Sequence, residues 1–120
     1  MIGYTTLGVK NLDAAKTFYT ELFGAKVLVD VGRLAMIGNS MEQPMIAVCE
    51  PYNEQDPHPG NGVMVAFPGG SKGGADALYK KAIELGATCD GEPGQRIENT
   101  FYGAYVKDPD GNKLCFFDFS

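Results

Sequence analysis

The sequence predicts an α+β fold made of two βαβββ modules, which span about residues 1–51 and 61–120 of a single domain. Two helical patterns each follow one short β-prone segment and precede three more. The two halves also repeat when the 120-residue chain is slid by 60 positions, which superposes residues 4–7 on residues 64–67. A period of this length indicates modules that are each too small to bury a sheet face alone, so we expect their concave faces to enclose one cavity.

The composition is that of an ordinary globular domain. Hydrophobic residues make up 44% and charged residues 21% of the chain, and no apolar run reaches the ~18 residues that a transmembrane helix needs. The N-terminus lacks the basic and apolar regions of a signal peptide, so we expect a cytoplasmic protein. The three cysteines are widely spaced and form no CxxC pair, which argues against a disulfide scaffold or a zinc knuckle. A net charge of −5 disfavours nucleic acid and membrane surfaces as partners, because binding to either begins with neutralising phosphate.

The first module is predicted from a strand at residues 3–9 and an amphipathic helix after it. Asn11 offers a side-chain oxygen as the helix N-cap, and Gly24 is placed to end the helix in the left-handed conformation. The apolar residues of this helix recur at spacings of three and four: Leu12, Ala15, Phe18, Tyr19, Leu22 and Phe23. Three strands follow, at residues 26–31, 33–37 and 44–49, with glycine-containing breaks between them.

The second module begins after a polar, proline-rich stretch at residues 50–62, which predicts a linker or a mobile loop. A strand at residues 63–67 is followed by a helix that starts near Ser71 and ends at Gly86. The predicted buried face of this helix consists of Ala75, Leu78, Tyr79, Ala82, Ile83 and Leu85. The glycine-rich segment at residues 69–74 superficially resembles a phosphate-binding loop, but it lacks the P-loop spacing and is better explained as a strand-to-helix turn. Three short strands complete the module.

The last hairpin is predicted from its turn, residues 108–112, which has the sequence Asp-Pro-Asp-Gly-Asn. Pro109 pre-sets φ for the first turn position, and Gly111 supplies a positive φ at no steric cost. The turn fixes the register of the hairpin, and therefore it also fixes which side chains of residues 114–117 face inward.

Three groups of residues in this sequence resemble the vicinal oxygen chelate superfamily. They are the Asp-Pro-Asp-Gly-Asn turn after an aromatic-rich strand, residues 7–12 leading to Phe18-Tyr19 and then to Leu-Phe-Gly-Ala at 22–25, and residues 62–67. That superfamily includes glyoxalase I, extradiol dioxygenases, fosfomycin-resistance enzymes and bleomycin-resistance proteins. The resemblance covers essentially the whole chain. It implies a glyoxalase/bleomycin-resistance fold, in which the two modules form a cupped eight-stranded mixed sheet, commonly assembled as a homodimer, with the ligand inside the cup.

The resemblance also implies four positions for metal ligands, which metal-binding relatives fill with inward-facing His or Glu. In this chain the four positions fall on Tyr4, Ala47, Met64 and Cys115. A divalent metal that chelates oxygen needs carboxylate or imidazole ligands, so no cofactor is predicted unless these positions are misaligned. Met64 and Cys115 could in principle bind a soft metal such as Cu(I), but two isolated sulfurs are far more often part of core packing.

Several other side chains are candidates for a ligand site. Tyr4, Tyr102 and Tyr105 carry hydroxyls that can orient a ligand or donate a proton, but they are equally well explained as ordinary sheet aromatics. Cys115 is a candidate nucleophile, although burial in a strand would raise its pKa and favours a structural role. His58, the only histidine, is either a solvated loop residue between prolines or part of a lid over the cavity. Single charges at strand ends or in loops are expected to be solvated: Arg33, Glu50, Arg96 and Glu98.

Three functions are compatible with these features. The first is a small-molecule-binding protein similar to the metal-free bleomycin-resistance branch, with a partly aromatic or cationic ligand. Its predicted contact residues are Tyr4, Ala47, His58, Met64, Tyr102, Tyr105 and Cys115. The second is a glyoxalase-like lyase or isomerase acting on a small metabolite, with Tyr4, Tyr102 or Cys115 as acid or nucleophile. The third is a structural module that forms a dimer interface. Small-molecule binding ranks ahead of catalysis, because catalysis in the resembled families depends on a divalent ion.

Overall fold

The computed structural model describes all 120 residues of the chain and contains two helices and eight strands. It divides into two compact units, Met1–Pro59 and Gly60–Ser120. Each unit holds one helix and one four-stranded mixed sheet in the order βαβββ, which confirms the predicted α+β fold class. Neither helix combines the length and the apolar character that crossing a membrane would require.

The first unit consists of β1 (Tyr4–Gly8), α1 (Leu12–Phe23), β2 (Lys26–Asp30), β3 (Leu34–Gly38) and β4 (Met45–Cys49). The strand order of its sheet is β1-β4-β3-β2, and the β1–β4 pair is parallel whereas the other pairs are antiparallel. A parallel pair cannot be joined by a tight hairpin, so the chain returns to β4 through α1, β2 and β3. The predicted strands of this unit agree with the structure to within about one residue at each end.

Helix α1 begins and ends where the sequence predicts. The Asn11 side chain accepts a hydrogen bond from the Ala14 amide at 2.9 Å, and Gly24 ends the helix with a φ of 60°. The Glu50 carboxylate accepts a further hydrogen bond from the Leu12 amide at 3.1 Å, which satisfies a second donor of the first turn. The buried residues of α1 all belong to the predicted face: Leu12, Ala15, Phe18, Tyr19 and Leu22.

Replacing Asn11 by alanine is expected to lower the free energy of unfolding by about 1 kcal/mol, because the Ala14 amide loses its acceptor. The measurement is urea denaturation followed by circular dichroism. Asn61→Ala is the matched control, since Asn61 is an exposed loop residue of the second unit. An equal loss of stability in the two variants would contradict the capping role of Asn11.

The second unit consists of β5 (Val65–Pro68), α2 (Lys72–Glu84), β6 (Thr88–Ile97), β7 (Phe101–Lys107) and β8 (Lys113–Asp118). Its sheet has the order β5-β8-β7-β6, again with a parallel pair, β5–β8, formed by its first and last strands. The strand predicted at residues 63–67 begins two residues later in the structure. Pairing with β8 starts only at Val65 and Leu114, so Val63 and Met64 precede the strand.

Helix α2 starts from a tight turn in the glycine-rich segment. The Ser71 side chain accepts a hydrogen bond from the Gly74 amide at 2.9 Å, which confirms Ser71 as the start of the helix. A Cβ atom on Gly74 would overlap the carbonyl oxygen of Gly69, so the turn requires glycine at position 74. The segment is therefore the strand-to-helix turn that the sequence indicates.

The buried face of α2 is narrower than predicted. Ala75 and Ala82 are completely buried, whereas Ile83 is 37% exposed. Ile83 is one residue beyond Ala82, which is about 100° around the helix, so it points away from the face that packs on the sheet. The inclusion of Ile83 in the buried face was wrong. The helix ends at Glu84, and Gly86 adopts a φ of 107° just after it.

The turn between β7 and β8 is held by a buried carboxylate. Asp108 is 3% exposed and accepts hydrogen bonds from the Asp110 and Asn112 amides, both at 2.9 Å, and from the Asn112 side chain at 3.1 Å. The Gly111 amide donates to the Asp108 carbonyl at 2.8 Å, and Gly111 has a φ of 88°. This geometry confirms the predicted turn at residues 108–112.

Candidate functional site

The strand register divides the second sheet into two faces. Side chains of directly paired residues lie on the same face, so Tyr105 lies beside Cys115. Tyr102 lies on the other face, where its hydroxyl donates a hydrogen bond to Asp76 of α2 at 2.6 Å. Helix α2 therefore covers the face of Tyr102. We call the opposite face the helix-free face; on β7 and β8 it includes Phe101, Gly103, Tyr105, Lys113, Cys115 and Phe117, and Phe119 follows β8 on the same side.

Three phenylalanine rings, which we call the Phe cluster, pack together on the helix-free face. The centroids of Phe101 and Phe117 are 5.7 Å apart with ring planes at 10°, and the Phe119 ring lies 4.8 Å from Phe117. Phe119 is 76% exposed, and the other two rings are half-buried. Gly103 makes room for this packing, because a Cβ atom there would lie 2.8 Å from the Phe101 ring. The Phe cluster thus offers exposed aromatic surface on which a flat ring can pack.

Two cations flank Tyr105 on the same face. The Arg96 guanidinium carbon and the Lys113 Nζ each lie 5.2 Å from the centroid of the Tyr105 ring, a distance at which cation–π attraction operates. Lys113 also forms an ion pair with Asp90 at 3.1 Å, whereas Arg96 donates a hydrogen bond to the main-chain carbonyl of Glu92. The Tyr105 ring is therefore held between Lys113, which is paired with a carboxylate, and Arg96, which is not.

The Cys115 thiol lies beside this arrangement but is completely buried. Burial raises the pKa of Cys115 above its ordinary value, and the positive charges of Lys113 and Arg96 only partly oppose that effect. A thiol with a raised pKa is a poor nucleophile at neutral pH. The surroundings of Cys115 therefore favour a packing role over a catalytic one.

Cys89 is expected to react first with an aromatic disulfide reagent, because it is exposed whereas Cys49 and Cys115 are buried. The raised pKa of Cys115 means that the folded state holds the thiol proton more tightly than the unfolded state does. The protonated Cys115 thiol therefore contributes to stability below pH 9, and this contribution is lost as the pH rises through the folded-state pKa of Cys115. The measurement is the time course of thiol labelling of the native protein, below pH 9 and above the folded-state pKa of Cys115. Cys89 should give a fast labelling phase, which Cys89→Ser should remove. A fast phase that persists in Cys89→Ser would contradict the burial of the other two thiols.

Tyr102 connects the second sheet to helix α2. The hydrogen bond to Asp76 raises the pKa of Tyr102, and Lys72 Nζ lies 5.6 Å from its ring centroid, so Tyr102 ties β7 to the start of α2. Tyr102 and Tyr105 are three residues apart, and an odd separation along a strand places side chains on opposite faces. The structure therefore does not bring Tyr102 together with Tyr105 or Cys115.

The other predicted contact residues are spread over both units. Tyr4 of β1 pairs with Met45 of β4, and Ala47 lies two residues after Met45 on β4. Tyr4 and Ala47 therefore share one face of the first sheet. Tyr4 is 50% exposed, and Ala47 is completely buried. Met64 precedes β5 and is exposed, as is His58 in the loop between β4 and β5. Of the predicted residues, Tyr105 and Cys115 are directly paired, whereas Tyr4 and Ala47 share a face but are offset by two positions.

The side chains at the four positions that the resemblance implies for metal ligands do not suit a hard divalent ion. Tyr4 and Ala47 lie in the first sheet, and Met64 and Cys115 belong to the second unit. The four side chains supply a phenol, a methyl group, a thioether and a buried thiol, where such an ion prefers carboxylate and imidazole. The structure contains no group of three or more His, Cys, Asp or Glu side chains that could hold a metal ion.

A separate cleft of about 630 Å³ lies in the first unit, at the ends of β1 and β4. Its charged and aromatic lining residues are Lys10, Arg33, Glu50, Tyr52, Glu54 and Asp56. The Arg33 guanidinium donates hydrogen bonds to Cys49 Sγ at 2.9 Å and to the Glu50 carbonyl at 3.2 Å, and it lies 5.2 Å from the Tyr52 ring centroid. Arg33 is exposed, as expected of a solvated charge, and makes these contacts as well, whereas Glu50 is half-buried and its carboxylate accepts a hydrogen bond from the Leu12 amide.

The sequence reasoning missed most of the helix-free face. The residues that were not predicted for a site are Arg96, Phe101, Gly103, Lys113, Phe117 and Phe119. A signal for part of this surface is present, since Phe101, Gly103 and Tyr105 alternate with the period of two that places them on one face. Arg96 and Lys113 reach Tyr105 from neighbouring strands, and no spacing within one strand indicates that contact.

A family model described as the Glyoxalase/Bleomycin resistance protein/Dioxygenase superfamily matches residues 1–116 of this chain. No curated protein matches it. Among solved structures, the chain is similar to a glyoxalase/bleomycin resistance protein from Albidiferax ferrireducens T118, with 30% sequence identity and a TM-score of 0.85; the match covers 98% of this chain and 97% of the other.

Two further solved structures are similar to this chain. A hypothetical protein from S. aureus is 26% identical with a TM-score of 0.77, and the match covers 95% of this chain and 90% of that one. A glyoxalase/bleomycin resistance protein/dioxygenase family enzyme from Burkholderia phytofirmans PsJN is 18% identical with a TM-score of 0.83, and the match covers 98% of both chains. The likeness to the latter is one of fold.

Proposed function

We propose that this chain, which belongs to the glyoxalase/bleomycin resistance protein/dioxygenase superfamily, is a small-molecule-binding protein whose ligand packs on the helix-free face of the second sheet. The observation that carries the proposal is the Phe cluster, where Phe119 is 76% exposed although it contacts two other rings. Exposed, adjacent aromatic rings favour a partner that removes them from water. Tyr105 extends this surface toward the charged side chains.

The position of the rings supports a preformed surface. Gly103 leaves space for the Phe101 ring, and a Cβ atom on that glycine would also lie 3.4 Å from the Tyr105 hydroxyl. The Phe101 ring and the Tyr105 hydroxyl therefore meet above the same residue. Apolar surface with a few fixed polar groups at its border is the usual composition of a small-molecule site.

Binding ranks ahead of a glyoxalase-like lyase activity. Of the three candidate catalytic residues, Cys115 is buried with a raised pKa, and the Tyr102 hydroxyl is engaged with Asp76 on the other face. Tyr4 lies in the first sheet, where it is half exposed. The Tyr102 hydroxyl is thus paired with a carboxylate, but it lies on the face that α2 covers and not beside a ligand on the helix-free face.

The test is a fluorescence titration with N-phenyl-1-naphthylamine, a neutral aromatic dye that emits more strongly when it leaves water. Phe117→Ala and Phe119→Ala are each expected to weaken dye binding by about 2- to 13-fold, the effect of losing one aromatic contact of about 0.5–1.5 kcal/mol. Tyr52→Ala is the matched control, because Tyr52 is an aromatic residue of the first unit that is 85% exposed. Equal affinities in all four proteins would show that the dye does not use the Phe cluster, and the proposal would then fail.

The same proposal includes a cytoplasmic homodimer. Each sheet has two edge strands, β1 and β2 in the first unit and β5 and β6 in the second, and unpaired edges are commonly covered by association with another chain. We expect light scattering to give the mass of two 12.9 kDa chains at micromolar concentration. A clean monomer would overturn the homodimer and the alternative of a structural dimerisation module, while leaving ligand binding to be judged by the dye titration.

A further inference from the structure

We infer that the ligand of the helix-free face is an aromatic molecule with one anionic group, whose ring packs on the Phe cluster while the anion pairs with Arg96. This inference rests on the proposed function and names the chemical class of its ligand. The expected ligand was partly aromatic or cationic, because of the overall charge and the attraction of tyrosine rings for cations; the inference keeps the aromatic part and replaces the cation by an anion.

The local charges are the first reason. Arg96 and Lys113 both lie 5.2 Å from the Tyr105 ring centroid, so both cations are already in place around this ring. A cationic ligand placed near Tyr105 would be repelled by Arg96 at short range and would find the Lys113 position already occupied by a cation. The net charge of −5 acts over the whole surface, and salt screens charges that lie more than about 8 Å apart.

The second reason is that the two cations differ in their partners. The charge of Lys113 is balanced by Asp90, whose carboxylate lies 3.1 Å from Nζ. None of the ion pairs includes Arg96, and its hydrogen bond is to a main-chain carbonyl, that of Glu92. Arg96 is also exposed. A guanidinium that has free donors and no carboxylate is suited to a planar anion such as a carboxylate or a sulfonate.

The third reason is distance. Tyr105 and Gly103 are alternate residues of β7, so their Cα atoms are separated by about 7 Å along the strand. The Phe101 ring lies over Gly103, next to the Tyr105 hydroxyl. A ligand of one or two fused rings can therefore contact the Phe cluster and still bring an attached anionic group to the Arg96 side of Tyr105.

The experiment compares two dyes that differ by one anionic group, 8-anilino-1-naphthalenesulfonate and N-phenyl-1-naphthylamine. With the unmodified protein, we expect the sulfonate to bind about tenfold more tightly than the neutral dye, as a charge-assisted hydrogen bond predicts. Arg96→Gln should remove this preference by weakening the sulfonate alone, and Arg96→Lys should restore part of it. Lys80→Gln is the control with the same change in net charge, since Lys80 is an exposed residue of α2. Circular dichroism melts establish that each variant is folded.

The outcomes separate this inference from the proposed function. If both dyes depend on Phe117 and Phe119 but bind equally well, or if Arg96→Gln leaves the preference intact, the anionic class is overturned while binding at the Phe cluster stands. If neither dye depends on the Phe cluster, the proposed function fails and this inference fails with it. If Lys80→Gln removes the preference for the sulfonate as much as Arg96→Gln does, the preference comes from net charge. That result also overturns the role of Arg96.

Discussion

Replacing Gly74 by alanine is expected to destabilise the protein by about 2–3 kcal/mol, because the added methyl group forces a clash of the kind that overpacking produces. The methyl group would overlap the carbonyl oxygen of Gly69. Both groups are fixed by the backbone, so no side-chain rotation can relieve the overlap. The turn before α2 would have to open, and the hydrogen bond from the Gly74 amide to Ser71 would weaken with it.

Gly73 provides the matched control for this prediction. An added Cβ atom at position 73 would have Ser71 Oγ as its nearest neighbour, at 3.9 Å, which is an ordinary contact. Gly73→Ala is therefore expected to stabilise the helix by about 0.5–1 kcal/mol, the difference in helix propensity between the two residues. Urea denaturation of both variants gives the comparison. A similar change in stability at the two positions would mean that Gly74 does not lie as close to the Gly69 carbonyl as described.

Replacing Asp108 by alanine is expected to cost about 3 kcal/mol, because three donors lose one buried acceptor. These donors are the Asp110 and Asn112 amides and the Asn112 side chain. Asp108 is 3% exposed and Asn112 is 6% exposed, so water does not readily replace the carboxylate. The register of β7 and β8 depends on this turn, and we expect the dyes to bind more weakly as well.

The measurement for Asp108 is a thermal melt combined with the dye titration. Asp108→Asn keeps one acceptor oxygen and should lie between the unmodified protein and Asp108→Ala. Asp56→Ala, in an exposed loop of the first unit, is expected to change stability by no more than about 0.5 kcal/mol. If Asp108→Ala behaves like Asp56→Ala, the carboxylate does not hold the turn.

Much of the fold could be predicted because its boundaries are set by local contacts. Asn11 and Gly24 satisfy the ends of α1 by hydrogen bonds to residues within the same helix, and Gly111 adopts the positive φ that its turn requires. Each of these signals lies within about five residues of the structure that it specifies. The late start of β5 is different, because it depends on pairing with β8, almost 50 positions away along the chain.

The candidate site was predicted less well because its contacts cross strands. Tyr105 and Cys115 were identified, but Arg96 reaches the Tyr105 ring from β6, and nothing near Arg96 in the sequence indicates this. Tyr102 shows the opposite problem. Its residue type suggested a ligand contact, while its position three residues before Tyr105 already placed it on the other face.

The strand order has a consequence for how the chain folds during synthesis. In each sheet the last strand to be made lies between the first and the third, as in β1-β4-β3-β2 and β5-β8-β7-β6. Until that strand emerges from the ribosome, its two neighbours have no partner on that side, and their backbone groups are open to pairing with other chains. The first sheet can close once residue 49 has emerged, but the second also needs residues 113–118, which are made more than 60 residues later. We therefore expect ribosome-bound chains that end before β8 to aggregate through β5 and β7, whereas chains that include β8 do not.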